Sequence, residues 1–159
     1  MSLKKLHIKW GAYKDISKIS NLQNLQYLDI GSGAGVESIE GITKIKGLVA
    51  LSIENFKKIS DYSSLSQLKE LESLSICGGI WSTIHVDSLS FLRDMKNLQI
   101  FCFLGAILTD KDMSPFLDLV DIKHLTLMGD RETKAIYEQL IKLPKLKYGT
   151  IVTRPEWYV

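Results

Sequence analysis

The chain has 159 residues, 45% apolar and 24% charged, with three prolines, which excludes a disordered segment or a linker and suits one domain with its own core. Lys and Arg number 20 against 18 Asp and Glu, and the resulting +2 shows no concentrated basic patch of the kind a nucleic-acid surface needs. The elements then follow in chain order. A strand phrase opens the chain, Leu3-Lys4-Lys5-Leu6-His7-Ile8, with apolar residues at its first, fourth and sixth places. Ile16, Ile19 and Leu22 come next at a step of three, which suits a 3₁₀ turn. The phrase returns at residues 25–30, 48–53, 71–76, 98–103 and 122–127, and in degenerate form at 146–151. Between the copies, Ile39, Ile42 and Ile45, and then Ile59, Tyr62, Leu65 and Leu68, repeat the step of three. Later connectors read as more helical: Leu89, Leu92 and Met95 in one, and Met113, Phe116 and Leu117 after a capping Thr109-Asp110 in another. A third runs from Glu132 to Lys142 before Pro144.

The lead residues of the phrases lie 22, 23, 23, 27, 24 and 24 apart. A strand and a return segment cannot bury an apolar face alone, so the units must stack, giving a parallel sheet on one side, helical turns on the other and a core between. The L-x-x-L-x-L phrase, at ~20–29 residues per unit, resembles the leucine-rich repeat family, and the I-x-x-I-x-x-L returns resemble its short bacterial, internalin-like type. The resemblance covers Leu3 to Ile151 and implies an α/β right-handed solenoid, one domain over residues 1–159. Its parallel β-sheet would form the concave face, with 3₁₀ and α-helical segments on the convex face. One departure is plain. The family places Asn or Cys three residues after the last apolar strand position, and this chain has Gly11, Gly33, Phe56, Gly79, Ala106 and Asp130 there.

Alternation along each strand puts the variable positions on the open face of the sheet. Those positions grade from charged (Lys5, His7, Lys9) through small and polar (Ala50, Ser52, Ser73, Ser75) to apolar (Ile100, Leu104, Met128, Tyr148, Val152). An apolar patch of that size marks a contact site, unless the tail Arg154 to Val159 folds across it. The expected partner-binding residues are Tyr27, Asp29, Glu54, Ser75, Ile100, Cys102, Leu104, His124, Met128 and Tyr148. The function expected is therefore a non-enzymatic protein-protein interaction module. By the family resemblance it would be of the immunity or inhibitor type, with an unidentified protein partner, no nucleic acid, no membrane and no cofactor. The first strand has no cap before it, so its edge is an expected site of self-association.

Other motifs compete. Leu28-Asp29-Ile30-Gly31-Ser32-Gly33-Ala34-Gly35, with Glu54 after the next strand, resembles the first loop of methyltransferases that bind S-adenosylmethionine. It is the alternative reading, although Leu25, Leu28 and Ile30 keep register with phrases that lack the glycines. His7, His85 and His124 are too scattered for a catalytic set, and Cys102 and His124 stand two positions out of step. The spacing of Cys77, Cys102 and His124 carries no metal signature, and stagger argues against a Cys77–Cys102 disulfide. No apolar run reaches the ~18 residues that span a bilayer, and Met1-Ser2-Leu3-Lys4-Lys5 does not read as a leader, so the expected location is cytoplasmic.

Overall fold

The computed structural model describes residues 3–159; the leading Met1-Ser2 of the expected domain, and of the segment read as no leader, lies outside the described residues. Six strands form one parallel sheet: β1 (Lys5–Lys9), β2 (Tyr27–Gly31), β3 (Ala50–Glu54), β4 (Ser73–Cys77), β6 (Ile100–Leu104) and β8 (His124–Leu127). They lie in chain order, and every pairing is in phase with the repeat: Leu6, Leu28, Leu51, Leu74, Phe101 and Leu125 make one inner row. Ile8, Ile30, Ile53, Ile76, Phe103 and Leu127 make the second. From β2 onward these inner residues are buried, whereas Leu6 and Ile8 in the edge strand are only half-buried. Each aliphatic or aromatic side chain so removed from water contributes roughly 1.5–3 kcal/mol, which is why the leucine phrase and the sheet coincide. Right-twisted strands joined in parallel wind the chain as a right-handed solenoid.

The convex side carries one short turn per unit: Ser17–Asn21, Ser63–Gln67, Ser90–Asp94 and Ser114–Asp118 are 3₁₀ segments, and Glu40–Thr43 is a single α-turn, α1. The later connectors are therefore not the helices expected from Leu89–Met95 and Thr109–Leu117. Their step of three keeps the tighter 3₁₀ geometry. Asp110 does not cap a helix either; its carboxylate accepts from the Asp112 N–H. The true punctuation is a ladder of side chains ten residues ahead of the five phrases that begin at Leu25, Leu48, Leu71, Leu98 and Ile122. Asp15, Ser38, Asp61, Ser88 and Asp112 each accept from the backbone N–H two residues on, at 2.7–3.2 Å. Such Asx and ST turns satisfy donors that a 3₁₀ start leaves unpaired. The third long connector is helical as expected: α2 (Arg131–Leu140) starts at Asp130, whose carboxylate accepts from Thr133 N–H at 2.8 Å.

Two features depart from the expected repeat. Between the sheet and the convex turns, β5 (Ile84–Val86) and β7 (Ala106–Leu108) pair in parallel as a second, two-stranded sheet, absent from the sequence reading. The degenerate phrase at 146–151 does not form a seventh strand. Gly149 stands where the other units place an inward-facing Leu or Phe; it adopts φ +93°, and a Cβ there would lie 2.1 Å from the Leu125 carbonyl oxygen. Only Tyr148 bridges to His124, and the chain turns into a short helix, α3 (Thr150–Thr153). The Thr150 hydroxyl bonds the backbone of Leu127, and Tyr158, buried and stacked on Tyr137, donates to the Leu127 carbonyl at 2.9 Å. The C-terminal segment thus covers the end of the core.

Candidate concave-face interface

The strand register turns the open face of the main sheet into rows. The first runs Lys5, Tyr27, Ala50, Ser73, Ile100, His124, extended by the bridge to Tyr148; the second runs His7, Asp29, Ser52, Ser75, Cys102, Thr126. The third contains Glu54, Cys77 and Leu104, with Met128 following β8 directly. All ten residues expected from the sequence are described at this face or at its C-terminal margin. Val152, expected beside them, instead lies on α3, because Gly149 ends the repeat.

Charge and polarity grade across the face as the sequence indicates. At the β1 end, Lys5 Nζ sits 4.6 Å from the centre of the Tyr27 ring, and His7 Nδ1 meets Asp29 Oδ2 at 2.6 Å. Small side chains in the middle leave a shallow depression of about 310 Å³, floored by Ala50, Ser52, Ser73 and Ser75 and flanked by Tyr27 and His7. At the other end Ile100 (44% exposed), Met128 (47%) and Tyr148 (59%) remain open, while Leu104 is half-buried. The tail does not fold across them: Trp157 packs against Gly129, and Tyr158 points beneath Leu127. His124 Nε2 pairs with Thr126 Oγ1 at 2.9 Å, not with Cys102.

The glycine loop serves packing between repeats. A Cβ on Gly33 would meet the Phe56 ring at 2.2 Å, and Phe56 is wholly buried, so the ring fills the space a bound nucleotide would need. The strands also run in unbroken chain order, without the reversal that opens a cofactor crevice in doubly wound sheets. The methyltransferase reading of Gly31–Gly35 and Glu54 is therefore set aside. Phe56 stands at one of the places where the family's Asn or Cys is absent, and there a buried ring packed against Gly33 fills the position.

Two features escaped the sequence reading. Ile80 and Trp81, in the loop leaving β4, are 86% and 95% exposed. The 27-residue spacing of that unit, against 22–24 elsewhere, was the available signal for an inserted loop. The other is the cysteine pair. Despite their stagger, Cys77 and Cys102 bring their sulfurs to 3.7 Å as free thiols, and the Ser75 hydroxyl lies 3.3 Å from Cys77. The Cys102 thiol donating to it, helped by Ser75 and the Leu104 N–H against burial and Glu54, holds Cys77 down to about 6. Retaining the shared proton, and burial, push Cys102 up.

No protein-family model matches the chain, and no curated protein matches its sequence. Solved structures do match. An internalin, InlF of Listeria monocytogenes, aligns with a TM-score of 0.71 at 20% identity, over 92% of this chain and 47% of that one. A leucine-rich repeat protein of Leptospira interrogans gives 0.61 at 20% identity, over 92% and 36%. A plant peptide hormone receptor, RGFR1, solved in complex with RGF2, gives 0.53 at 15% identity, over 92% and 28%. The chain spans less than half the length of each. The architecture they share with it is the leucine-rich repeat solenoid, of the kind seen in internalins.

Proposed function

From the leucine-rich repeat solenoid as premise, we propose that the chain is a non-enzymatic recognition module that binds a protein partner on its concave sheet face. The observation that carries this reading is the exposed cluster of Ile100, Met128 and Tyr148 at one end of the sheet, beside the shallow depression floored by small side chains. Exposed apolar and aromatic side chains on a rigid sheet suit a pre-formed contact, because little ordering entropy is lost on docking. Tyr27, Leu104, His124, Met128 and Tyr148 are the anchors in this reading, with Asp29, Glu54, Ser75 and Cys102 lining the polar centre. Trp81 adds a projecting aromatic at the rim. The partner's matching surface would carry an acidic margin toward Lys5 and Lys9 and an apolar margin toward Met128.

The test is affinity capture from the native host, followed by titration of the captured protein. The double substitution Leu104→Asp with Met128→Asp should reduce affinity at least about 10²-fold, as expected for hot-spot loss. Lys18→Glu, on the convex face, should leave it unchanged. Equal affinity in the double variant removes the concave face from the reading. A partner enzyme whose turnover stops when bound would assign the chain to the inhibitor type.

A further inference from the structure

We propose that Cys77 and Cys102 form a two-thiolate chelating site for a soft divalent ion, zinc or cadmium, on the open face of the sheet. Geometry separates this from a disulfide. Cys77 is in register with Leu104 and Cys102 with Ser75, a stagger of two residues. With strands about 4.8 Å apart and about 3.3 Å of rise per residue, that stagger sets the two Cα atoms about 8 Å apart. A disulfide tolerates about 7 Å at most and needs its sulfurs to close to about 2.05 Å, so it requires the backbone of β4 or β6 to move. A bridging ion requires no movement. Two sulfurs bound at about 2.3 Å to a tetrahedral zinc are separated by about 3.8 Å, against 3.7 Å between these thiols.

The donor chemistry agrees with the spacing. Thiolates select soft ions, and the Cys77 sulfur already has the Cys102 sulfur at 3.7 Å and the Ser75 hydroxyl at 3.3 Å. An arriving cation displaces the proton the two sulfurs share and neutralises the charge left on them. No third His, Cys, Asp or Glu converges on the pair among the described residues. The remaining coordination positions therefore point away from the core, toward solvent, where water or an added ligand completes the shell.

The experiment is titration of the fully reduced chain with cadmium chloride under anaerobic conditions, following thiolate-to-cadmium charge-transfer absorption, with zinc competition against a chromophoric chelator. One ion per chain is expected. Cys77→Ser and Cys102→Ser should each weaken binding by at least about 10²-fold, the loss of a chelate partner held at high effective concentration. Both are near-isosteric, and an unchanged thermal midpoint would show them folded. Absence of the band in the wild type, or equal affinity in the wild type and both single variants, overturns the site. So does rapid closure to an intramolecular disulfide with no detectable ion binding, which would make the pair a redox element instead.

Discussion

The contact between Gly33 and Phe56 offers a stringent test of how adjacent repeats fit. A methyl group at position 33 would start 2.2 Å from a ring carbon of Phe56, whereas unstrained carbon contacts sit at about 3.5–4.0 Å. The ring is wholly buried between repeats, so it has no free direction in which to yield. Gly33→Ala should therefore destabilise by about 1–3 kcal/mol through overpacking. At roughly 2–4 °C per kcal/mol for a domain of this size, the thermal midpoint should fall by several degrees. Phe56→Ala alone should cost about 3–5 kcal/mol. In that background the same Gly33→Ala has room, and its methyl enters space the ring has left. The second substitution should then be neutral or mildly stabilising, a coupling of about 1–3 kcal/mol between the two sites. Denaturant unfolding of the four proteins, read by circular dichroism, measures the cycle. Additive effects of the two substitutions would refute the packing argument.

Two tyrosine hydroxyls should respond in opposite directions. The Tyr158 hydroxyl donates to the Leu127 carbonyl and lies 2.7 Å from the Thr150 hydroxyl, so Tyr158→Phe should cost about 1–2 kcal/mol in urea denaturation. The Tyr62 hydroxyl is buried without a hydrogen-bond partner, and burial pushes its pKa up, so Tyr62→Phe should be neutral or stabilising in the same assay. Gly149→Ala meets both a left-handed backbone and the Leu125 carbonyl. It should loosen the C-terminal cap, seen as faster amide exchange at Ile151 and Tyr158. Hydrogen bonds from the Ser17, Ser63 and Ser114 hydroxyls and N–H groups hold Asp15, Asp61 and Asp112 below the usual carboxylate range, and Lys58 and Lys14 do the same for Glu37. A lowered folded pKa adds stability that is present above the unfolded value of about 4 and lost as pH falls through the folded one. The thermal midpoint should thus hold from neutrality to about pH 5 and drop below about pH 4, with Asp61→Asn flattening the drop. We also propose that the outer edge of β1, which among the described residues pairs only with β2, supports self-association; sedimentation should show mass rising with concentration, and a monomer at every concentration would contradict it.

The solenoid was legible because the burial signal is one-dimensional. Leu28, Leu51 and Leu74 recur at the interval of the strands that bury them, and no long-range information is needed to align them. The concave rows followed from the same alternation, which is why Tyr27, Ile100 and Met128 were identifiable as exposed. What stayed hidden depends on backbone dihedrals or on side chains meeting across strands. The Thr150 segment reads as strand until Gly149 is seen at positive φ. The turn ladder of Asp15, Ser38, Asp61, Ser88 and Asp112 is visible as a constant ten-residue offset, but only once the acceptor role of these polar side chains is sought. The thiols of Cys77 and Cys102 meet because side chains lean along their strands, a direction that register counting ignores.

The structure of the chain bound to its captured partner bears on the concave-face account most directly. The account predicts roughly 600–1,000 Å² buried on this chain, with Ile100, Leu104, Met128 and Tyr148 enclosed and the 3₁₀ turns left free. A partner seated on the Ser17–Asn21, Ser63–Gln67 and Ser90–Asp94 turns, with those four side chains still in solvent, would contradict it.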